Sequence, residues 1–272
     1  LHVPMAEEAL GWGVHVLSEK PAAISPNQLK KLREAEKRSV AQYGVCFQNR
    51  YNPCVQAAKE RMESGTTGKL LAARAFVTWN RQPPYYTESG WRGTLRQEGG
   101  GVLTNQAIHT LDLMRYFGGE IAAISGQITN QHLRGVIEVE DTACVLLQYE
   151  SGAAGIFYAT TAYRQNAPVL LELVCEQETL RLEGPNLYRL EGNRFTLLCG
   201  EEEHMPGKPY WGSGHARLID AFYRSLLPGG EAFPIGAQEG GRASELLFSL
   251  YMQNGIDYEA IQLNETIDIQ AN

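Results

Sequence analysis

Seven short segments rich in strand-forming residues follow one another between residues 122 and 199, and this succession severely limits the possible folds. They occupy residues 122–129, 141–149, 153–162, 169–175, 178–183, 187–191 and 194–199. Tight turns such as Glu150-Ser151-Gly152 separate several of them, which leaves no room for the crossover helices that parallel strands need. The pattern therefore predicts a large, mainly antiparallel sheet.

The first 52 residues follow a different pattern, in which strands alternate with helices. After a helical stretch at 5–10, an apolar run at 14–17 predicts a buried strand, and a second strand is expected at 43–47. Between them lies a helix that Ser25 caps and Pro26 begins. Strand, helix and strand with short connections are typical of a parallel, doubly wound sheet.

These two patterns together predict a fold of class α/β plus α+β. Residues 1–52 are expected to form the C-terminal part of a Rossmann-type parallel sheet. Residues 53–272 are expected to form a larger domain with an open, mainly antiparallel sheet flanked by helices. A further strand is predicted at 69–80. The flanking helices are predicted at 53–64, 101–117, 214–227 and 240–254.

Charge and cysteine content exclude several classes of partner. The formal net charge is −7 and no Lys/Arg cluster interrupts it, so no nucleic acid is expected as a partner. No apolar run approaches the ~20 residues of a membrane-spanning helix, so no membrane role is expected. The five cysteines are scattered and include no C-x-x-C pair, which indicates neither a disulfide framework nor a zinc or other metal site. A cytoplasmic location fits this use of cysteine.

The tripeptide Glu19-Lys20-Pro21 follows the first predicted strand of the parallel sheet. Open α/β sheets bind their ligands at the carboxyl ends of such strands. A lysine at this position could donate a hydrogen bond to a substrate hydroxyl or carbonyl oxygen. On its own, however, the tripeptide is better explained as a charged pair that ends a strand.

A mostly apolar helix after Gly99-Gly100-Gly101 carries a polar stripe. Asn105, His109, Asp112 and Tyr116 recur at i, i+4, i+7 and i+11, so an ideal helix would align them on one face. The stripe could face solvent or a cleft, and apolar residues on the other sides favour a buried helix and a cleft. Histidine is the side chain best suited to proton transfer near neutral pH, and Asn105 one turn earlier could orient its ring.

Four other histidines give weaker indications of a functional role. His15 is interpreted as a packed core residue of a buried strand. His132 and His204 fall in predicted loops with no partners at ligand spacing. For His215, at the start of a helix, both roles stay open and a structural one is favoured.

The combination of these motifs resembles the Gfo/Idh/MocA oxidoreductases. The resemblance rests on Glu19-Lys20-Pro21 at a strand end, on N-x-x-x-H-x-x-D after three glycines, and on Trp91-Arg92 between them. Four longer segments are also similar to the family: LHVPMAEEALGWGVHVLSEKP, FQNRYNPCVQAAKERMESGTTGKL, IEVEDTACVLLQYESGAAGIFYATTAY and GHARLIDAFYRSL. The match covers nearly the whole chain and is far more informative about family than about substrate.

The resemblance implies a function for several residues. It makes Lys20 the catalytic lysine and His109 the general acid/base, with Asn105 beside it where many members have aspartate. An asparagine could hydrogen-bond the imidazole but could not stabilise its cation by charge.

The implied substrate-binding residues are Asp112, Asn49, Gln48 and Trp91. The implied cofactor-binding residues are His2, Glu19, Lys20, Pro21 and Arg92. The loop aromatics Tyr85, Tyr86 and Trp91 fit a sugar-stacking platform as well as an ordered loop.

One family feature does not appear near the start of the sequence. There is no G-x-G-x-x-G turn there and no acidic residue at the end of a following strand. We therefore expect the chain to lack the N-terminal half of the Rossmann domain and, by itself, to bind dinucleotide poorly.

The expected activity is NAD- or NADP-dependent hydride transfer to or from a sugar, sugar alcohol or inositol-like hydroxyl. The open sheet face is expected to form a homo-oligomer, either a dimer or a tetramer. One alternative is a glycosidase or epimerase of the same fold that uses the nicotinamide transiently. Another is a non-catalytic sugar or dinucleotide sensor. The sequence distinguishes neither NAD from NADP nor one polyhydroxylated substrate from another.

Overall fold

The computed structural model describes residues 1–200 and 213–258, and it begins with a small parallel-strand unit. Strands β1 (Val16–Ser18) and β2 (Tyr43–Val45) pair in parallel. Helix α1 (His2–Gly11) packs against helix α2 (Pro26–Arg38), which connects the two strands. The predicted strand–helix–strand unit is thus confirmed. His204 lies outside the described residues.

The predicted start of α2 is confirmed in detail. The Ser25 side chain accepts a hydrogen bond of 3.3 Å from the Gln28 backbone N–H, and Pro26 occupies the first helical position. Leu29 and Leu32 are buried on the inner face of this otherwise charged helix. The cap and the buried leucines together fix where the helix begins and which face it turns inward.

The second unit is an eight-stranded sheet whose strand order is β10-β9-β8-β7-β3-β6-β5-β4. Its strands are β3 (Leu70–Thr78), β4 (Ile121–Thr129), β5 (Thr142–Tyr149), β6 (Ala154–Thr160), β7 (Leu170–Cys175), β8 (Thr179–Glu183), β9 (Asn186–Glu191) and β10 (Arg194–Gly200). Neighbouring strands are antiparallel except for β3 and β6. The predicted mainly antiparallel sheet is confirmed.

Within residues 1–200 and 213–258, helices cover one face of this sheet and leave the other open. Helix α3 (Pro53–Glu63) packs on β8, β9 and β10, helix α6 (Ile108–Gly118) packs on β3, and helix α9 (Arg242–Gln253) packs on β4. Along β5, buried and exposed residues alternate strictly, as expected for a sheet covered on one side. None of the helices in the described ranges has the length and apolarity needed to cross a membrane.

The C-terminal helices return to the parallel-strand unit. Helix α7 (Gly214–Ser225) packs on the 3₁₀ turn Gln48–Tyr51, and the short helix α8 (Ala237–Gly240) packs on β2 and α2. A Cβ at residue 214 would lie 2.0 Å from the Gln48 carbonyl oxygen, so only glycine fits this contact. Two short helices lie between β3 and α6: α4 (Pro83–Thr87) and α5 (Leu95–Glu98).

The interpretation of His15 as a core residue was wrong. Its side chain is exposed, and its Nδ1 accepts a hydrogen bond of 2.9 Å from the Gln42 backbone N–H. Pairing between β1 and β2 begins only at Val16, and Val14 is also 52% exposed. An apolar run marks the vicinity of a buried strand, but it does not show at which residue the pairing begins.

Candidate active site

Two cavities meet at the carboxyl ends of β1 and β2. The first, here named the histidine cavity, has a volume of about 790 Å³, and its lining includes Lys20, Gln48, Asn49, Asn105, His109 and His215. The second, here named the tryptophan cavity, has a volume of about 940 Å³, and its lining includes His2, Lys20, Pro21, Trp91, Glu98 and Asn105. Three residues line both cavities: Glu19, Lys20 and Asn105. The strand end that carries Lys20 therefore lies between the two spaces.

Lys20 reaches from the end of β1 to the segment that precedes α6. Its Nζ donates a hydrogen bond of 2.7 Å to the backbone carbonyl of Asn105. Burial lowers the pKa of Lys20, although the carboxylates of Glu19 and Glu98 oppose this effect. The ammonium is thus held in a fixed place by a backbone acceptor and gives up its proton more readily than an exposed lysine.

The start of the helix that carries His109 is anchored by Glu140. The Glu140 carboxylate accepts hydrogen bonds of 2.9 Å from the backbone N–H groups of Gly101 and Leu103, and one of 2.8 Å from the Tyr251 hydroxyl. A Cβ at Gly101 would lie 1.8 Å from the Glu140 carbonyl oxygen, which explains the glycine there. A π-helical turn, Leu103–Ala107, follows and leads directly into α6.

Asn105 lies in the π-helical turn, whereas His109 and Asp112 both lie in α6. Asn105 and His109 line the histidine cavity, whereas Asp112 lines neither cavity. The Asn105 amide donates to the Glu98 carboxylate and, at 3.5 Å, to the Tyr85 hydroxyl. The expected hydrogen bond from Asn105 to the His109 ring is therefore wrong, because the amide donates to Glu98 and Tyr85 instead.

The His109 ring is enclosed but reaches the cavity. The edge of Phe47 packs against it at a centroid distance of 5.7 Å, and its Nε2 lies 3.5 Å from the Gln48 amide nitrogen. Its Nδ1 is buried and has no hydrogen-bond partner within the described part of the chain. Burial, followed by the charges of Lys20 and His215, lowers the pKa of His109 well below 6.5. The imidazole is therefore neutral near pH 7 and able to accept a proton.

Asp112 does not lie where a substrate hydroxyl could meet it. Its two carboxylate oxygens accept hydrogen bonds of 2.7 and 2.5 Å from the Arg50 guanidinium, and its side chain is only 1% exposed. Arg50 also donates to Glu239 at 2.8 Å. We therefore correct the predicted role of Asp112: it anchors the 3₁₀ turn Gln48–Tyr51 to α6. Helical spacing could not reveal this pair, because Arg50 is 62 positions away in the sequence.

The structure places Gln48, Asn49 and His215 in the lining of the histidine cavity. The sequence had favoured a structural role for His215. Its Nε2 lies 3.9 Å from a Glu19 carboxylate oxygen. Helix α7 brings it there because the Gly214 backbone N–H donates to the Asn52 side chain at 2.8 Å.

The predicted cofactor-binding residues divide into two groups. His2, Glu19, Lys20 and Pro21 line the tryptophan cavity, and the His2 Nδ1 lies 3.0 Å from the Pro21 carbonyl oxygen. Arg92 lines neither cavity. Its guanidinium lies 4.6 Å from the ring centre of Tyr85 and 4.7 Å from that of Trp91, so it makes cation–π contacts with both aromatic side chains.

Two charged residues of the site were missed by the sequence interpretation. Glu98 is buried, lines the tryptophan cavity and accepts a hydrogen bond of 2.5 Å from the Gly93 backbone N–H. Burial raises the pKa of Glu98, while Gly93, Asn105, Arg92 and Lys20 oppose the shift. Arg81 lines the histidine cavity with its guanidinium near the rings of Trp79 and Tyr85, at 5.1 and 5.3 Å. The position of Glu98 directly before the three glycines was the available signal.

Two family models match the chain. One, described as the GFO/IDH/MocA C-terminal domain, matches residues 55–181. The other, described as the oxidoreductase family with an NAD-binding Rossmann fold, matches residues 1–47.

Individual relatives agree with these matches. Levoglucosan dehydrogenase of Pseudarthrobacter phenanthrenivorans is 23% identical over 276 aligned positions, covering 86% of this chain and 70% of that protein. The scyllo-inositol 2-dehydrogenase (NAD(+)) of Bacillus subtilis is 25% identical over 205 positions, covering 72% of this chain and 58% of its own length. The crystal structure of the WlbA dehydrogenase from Bordetella pertussis in complex with NADH and UDP-GlcNAcA superposes with a TM-score of 0.75 at 28% identity, covering 94% of this chain and 75% of that one.

Proposed function

Because the chain belongs to the Gfo/Idh/MocA oxidoreductase family, we propose that it interconverts a hydroxyl and a carbonyl group of a sugar, sugar alcohol or inositol-like substrate with NAD or NADP. The observation that carries this proposal is that Lys20 and His109, from separate parts of the chain, line one cavity. Relatives named as dehydrogenases of levoglucosan and scyllo-inositol support the substrate class. NADH in the WlbA complex and NAD(+) in the name of the inositol enzyme favour NAD over NADP.

The tryptophan cavity fits the nicotinamide end of such a cofactor. It combines the flat Trp91 ring with the polar groups of His2, Lys20 and Arg96, and it shares Lys20 with the histidine cavity. His2 and Pro21 would hold the ring in this space. Trp91, which the resemblance assigns to the substrate, lines this cavity and not the histidine cavity, so we propose that it too contacts the ring. When bound, the cofactor supplies the two-electron acceptor or donor for the substrate carbon.

Side chains of the histidine cavity would accept the hydroxyl proton and stabilise the charge on the substrate oxygen. In the oxidation direction, neutral His109 takes the hydroxyl proton. The Lys20 ammonium donates a hydrogen bond to the same oxygen and stabilises the negative charge that develops there. Gln48 and Asn49, from the 3₁₀ turn, would hold neighbouring hydroxyls.

A panel of polyols and sugars tests this proposal, each with NAD⁺ and with NADP⁺ at high concentration, because the chain by itself is expected to bind dinucleotide poorly. We expect reduced nicotinamide, followed by its absorbance, to accumulate in a 1:1 ratio with the oxidised product. Product formation without net reduced nicotinamide would instead support an epimerase or glycosidase that uses the cofactor transiently. Substrate binding without any turnover would support a sensor.

Replacing Glu98 by glutamine tests the electrostatics around Lys20. The Glu98 carboxylate raises the pKa of Lys20, so its neutralisation should lower that pKa further. A lysine with a lower pKa loses its proton at lower pH. We therefore expect the alkaline limb of the profile of kcat/KM against pH to move to lower pH in Glu98→Gln. Glu88→Gln, at an exposed position nearby, is the matched control, and identical alkaline limbs in both variants would contradict a role for the Lys20 ammonium.

We also propose that the protein assembles as a homo-oligomer, a dimer or a tetramer, through the open sheet face. Leu146 on β5 and its cross-strand partner Ile156 on β6 are 58% and 54% exposed there. We expect light scattering to give a multiple of the chain mass, and the variant Leu146→Glu with Ile156→Glu to give a smaller species. Tyr223→Glu, at an exposed aromatic residue on α7, should leave the assembly unchanged. A monomer before substitution would contradict this proposal.

We also propose that the chain divides into two domains and that the protein is cytoplasmic. A division between two domains after residue 52 is supported by the gap between the two family matches, 1–47 and 55–181. A cytoplasmic location is supported by five thiols that are all unbridged.

A further inference from the structure

Two cysteines that are distant in the sequence meet at the edge of the large sheet. Cys54 lies in the first turn of α3 and Cys199 lies near the end of β10, 145 positions later. Their sulfur atoms are 2.7 Å apart. A disulfide bond requires about 2.05 Å between the sulfur atoms, so an approach of about 0.7 Å would join them.

We propose that Cys54 and Cys199 form a reversible disulfide that links α3 to the edge strand β10 when the protein meets a peroxide. No motif in the sequence indicates this pair, because neither residue belongs to a C-x-x-C motif and the total number of cysteines is odd. The proposal concerns the scaffold and does not depend on the substrate or on the activity proposed above.

The surroundings of the two sulfur atoms suggest an order of events. Cys199 is partly exposed, whereas Cys54 is buried and its thiol donates to the Pro185 carbonyl at 3.0 Å. Hydrogen peroxide would therefore oxidise Cys199 first, giving a sulfenic acid and one molecule of water. The Cys54 thiol then attacks that sulfur, the S–S bond forms, and a second molecule of water leaves. Overall, two thiols are oxidised and one peroxide is reduced to two waters.

The other cysteines lack such a partner geometry. Burial raises the pKa of Cys46 to about 12 and also raises the pKa of Cys175, which disfavours the reactive thiolate at both positions. Cys144 is exposed on β5, on the open face of the sheet. It is the residue that a peroxide could reach without a neighbouring thiol to resolve the product, and it is therefore the natural control.

The disulfide would join the end of the sheet to the helix that follows the 3₁₀ turn of the candidate active site. Among the strands of the described residues, β10 stands at one end of the sheet and pairs with β9 alone. Helix α3 begins two residues after the 3₁₀ turn Gln48–Tyr51, which contributes Gln48 and Asn49 to the histidine cavity. A disulfide at this point closes a long loop and restricts the unfolded chain, so the oxidised protein should melt at a higher temperature.

Peptide mapping of the untreated, peroxide-treated and re-reduced protein tests the proposal directly. After peroxide treatment and alkylation of the remaining thiols, trypsin should yield peptide 51–59 joined to peptide 195–217, with the loss of two hydrogens. Dithiothreitol should separate the two peptides again. We expect Tm to rise by about 5 °C or more on oxidation.

Single substitutions separate this pair from the other thiols. Cys54→Ser and Cys199→Ser should each abolish the linked peptide and the rise in Tm, whereas Cys144→Ser should retain both. The proposal would be overturned if both peptides were recovered alkylated after peroxide treatment, or if Cys199 were found only as sulfinic or sulfonic acid. Because mapping of the unsubstituted protein decides the question, a variant that fails to fold leaves the test intact.

Discussion

Replacing His109 by glutamine is expected to lower kcat by about 10²- to 10⁴-fold, the usual contribution of a positioned general base. Glutamine keeps a polar side chain beside Gln48 but cannot take a proton near neutral pH.

Lys20→Met should also lower kcat, because methionine keeps much of the side-chain volume while removing the ammonium that stabilises charge on the substrate oxygen. Steady-state kinetics with a polyol that the protein oxidises would measure both effects.

The matched control for His109→Gln is His132→Gln, at an exposed loop position. It should leave kcat within about a factor of two of the unsubstituted value, since no proton transfer is assigned to it. Circular dichroism should show that all three variants are folded. A His109→Gln variant that keeps its kcat would remove His109 from proton transfer, even if KM had increased.

Replacing Arg50 by leucine is expected to lower the free energy of unfolding by about 3–5 kcal/mol. Arg50 is buried and makes a bidentate contact with Asp112, whose side chain is 1% exposed. Without the guanidinium, the Asp112 carboxyl group would stay in the interior without the two hydrogen bonds that Arg50 donates, and only the charge of Arg115 would oppose its desolvation. Urea denaturation at neutral pH would measure the loss.

An exposed ion pair provides the comparison for this prediction. Arg224 and Asp220 are 75% and 59% exposed, so Arg224→Leu should change the free energy of unfolding by less than about 1 kcal/mol. If Arg50→Leu changed stability as little as Arg224→Leu, the pair with Asp112 would not anchor the 3₁₀ turn. If Asp112→Asn raised KM without loss of stability, the original assignment of Asp112 to substrate binding would be restored.

Much of the fold could be predicted because its signals are local. The strand-forming segments between 122 and 199 are separated by turns, so each strand was recognisable from its own residues. The start of α2 was predicted because the Ser25 cap and Pro26 act within one helical turn. His15 was misassigned because the first paired residue of β1 depends on β2, a partner that local patterns do not reveal.

The candidate site was only partly predictable, because some of its features are local and others depend on contacts between distant residues. The position of Lys20 follows from a strand end and that of His109 from a helix face, which are both local features. The segment at the start of the π-helical turn, in contrast, is held by a long-range contact between Glu140 and the backbone of Gly101 and Leu103. Asn105 donates to Glu98 and not to His109, and no periodicity in the sequence predicts that partner.

Pairs formed by distant residues were missed altogether. Arg50 with Asp112, and Cys54 with Cys199, are separated by 62 and 145 positions. Each pair is brought together only when the 3₁₀ turn and α3 pack against α6 and the sheet. A single sequence shows the residue types but not which of them will meet.

A crystal structure of the protein with NAD(H) and a polyol that it oxidises would test the central claim most directly. We expect one oxygen of the polyol to lie within about 3.2 Å of both the Lys20 Nζ and a ring nitrogen of His109. A polyol bound in the histidine cavity with its reacting oxygen out of reach of either side chain, or bound elsewhere on the protein, would contradict the assignment of these two residues.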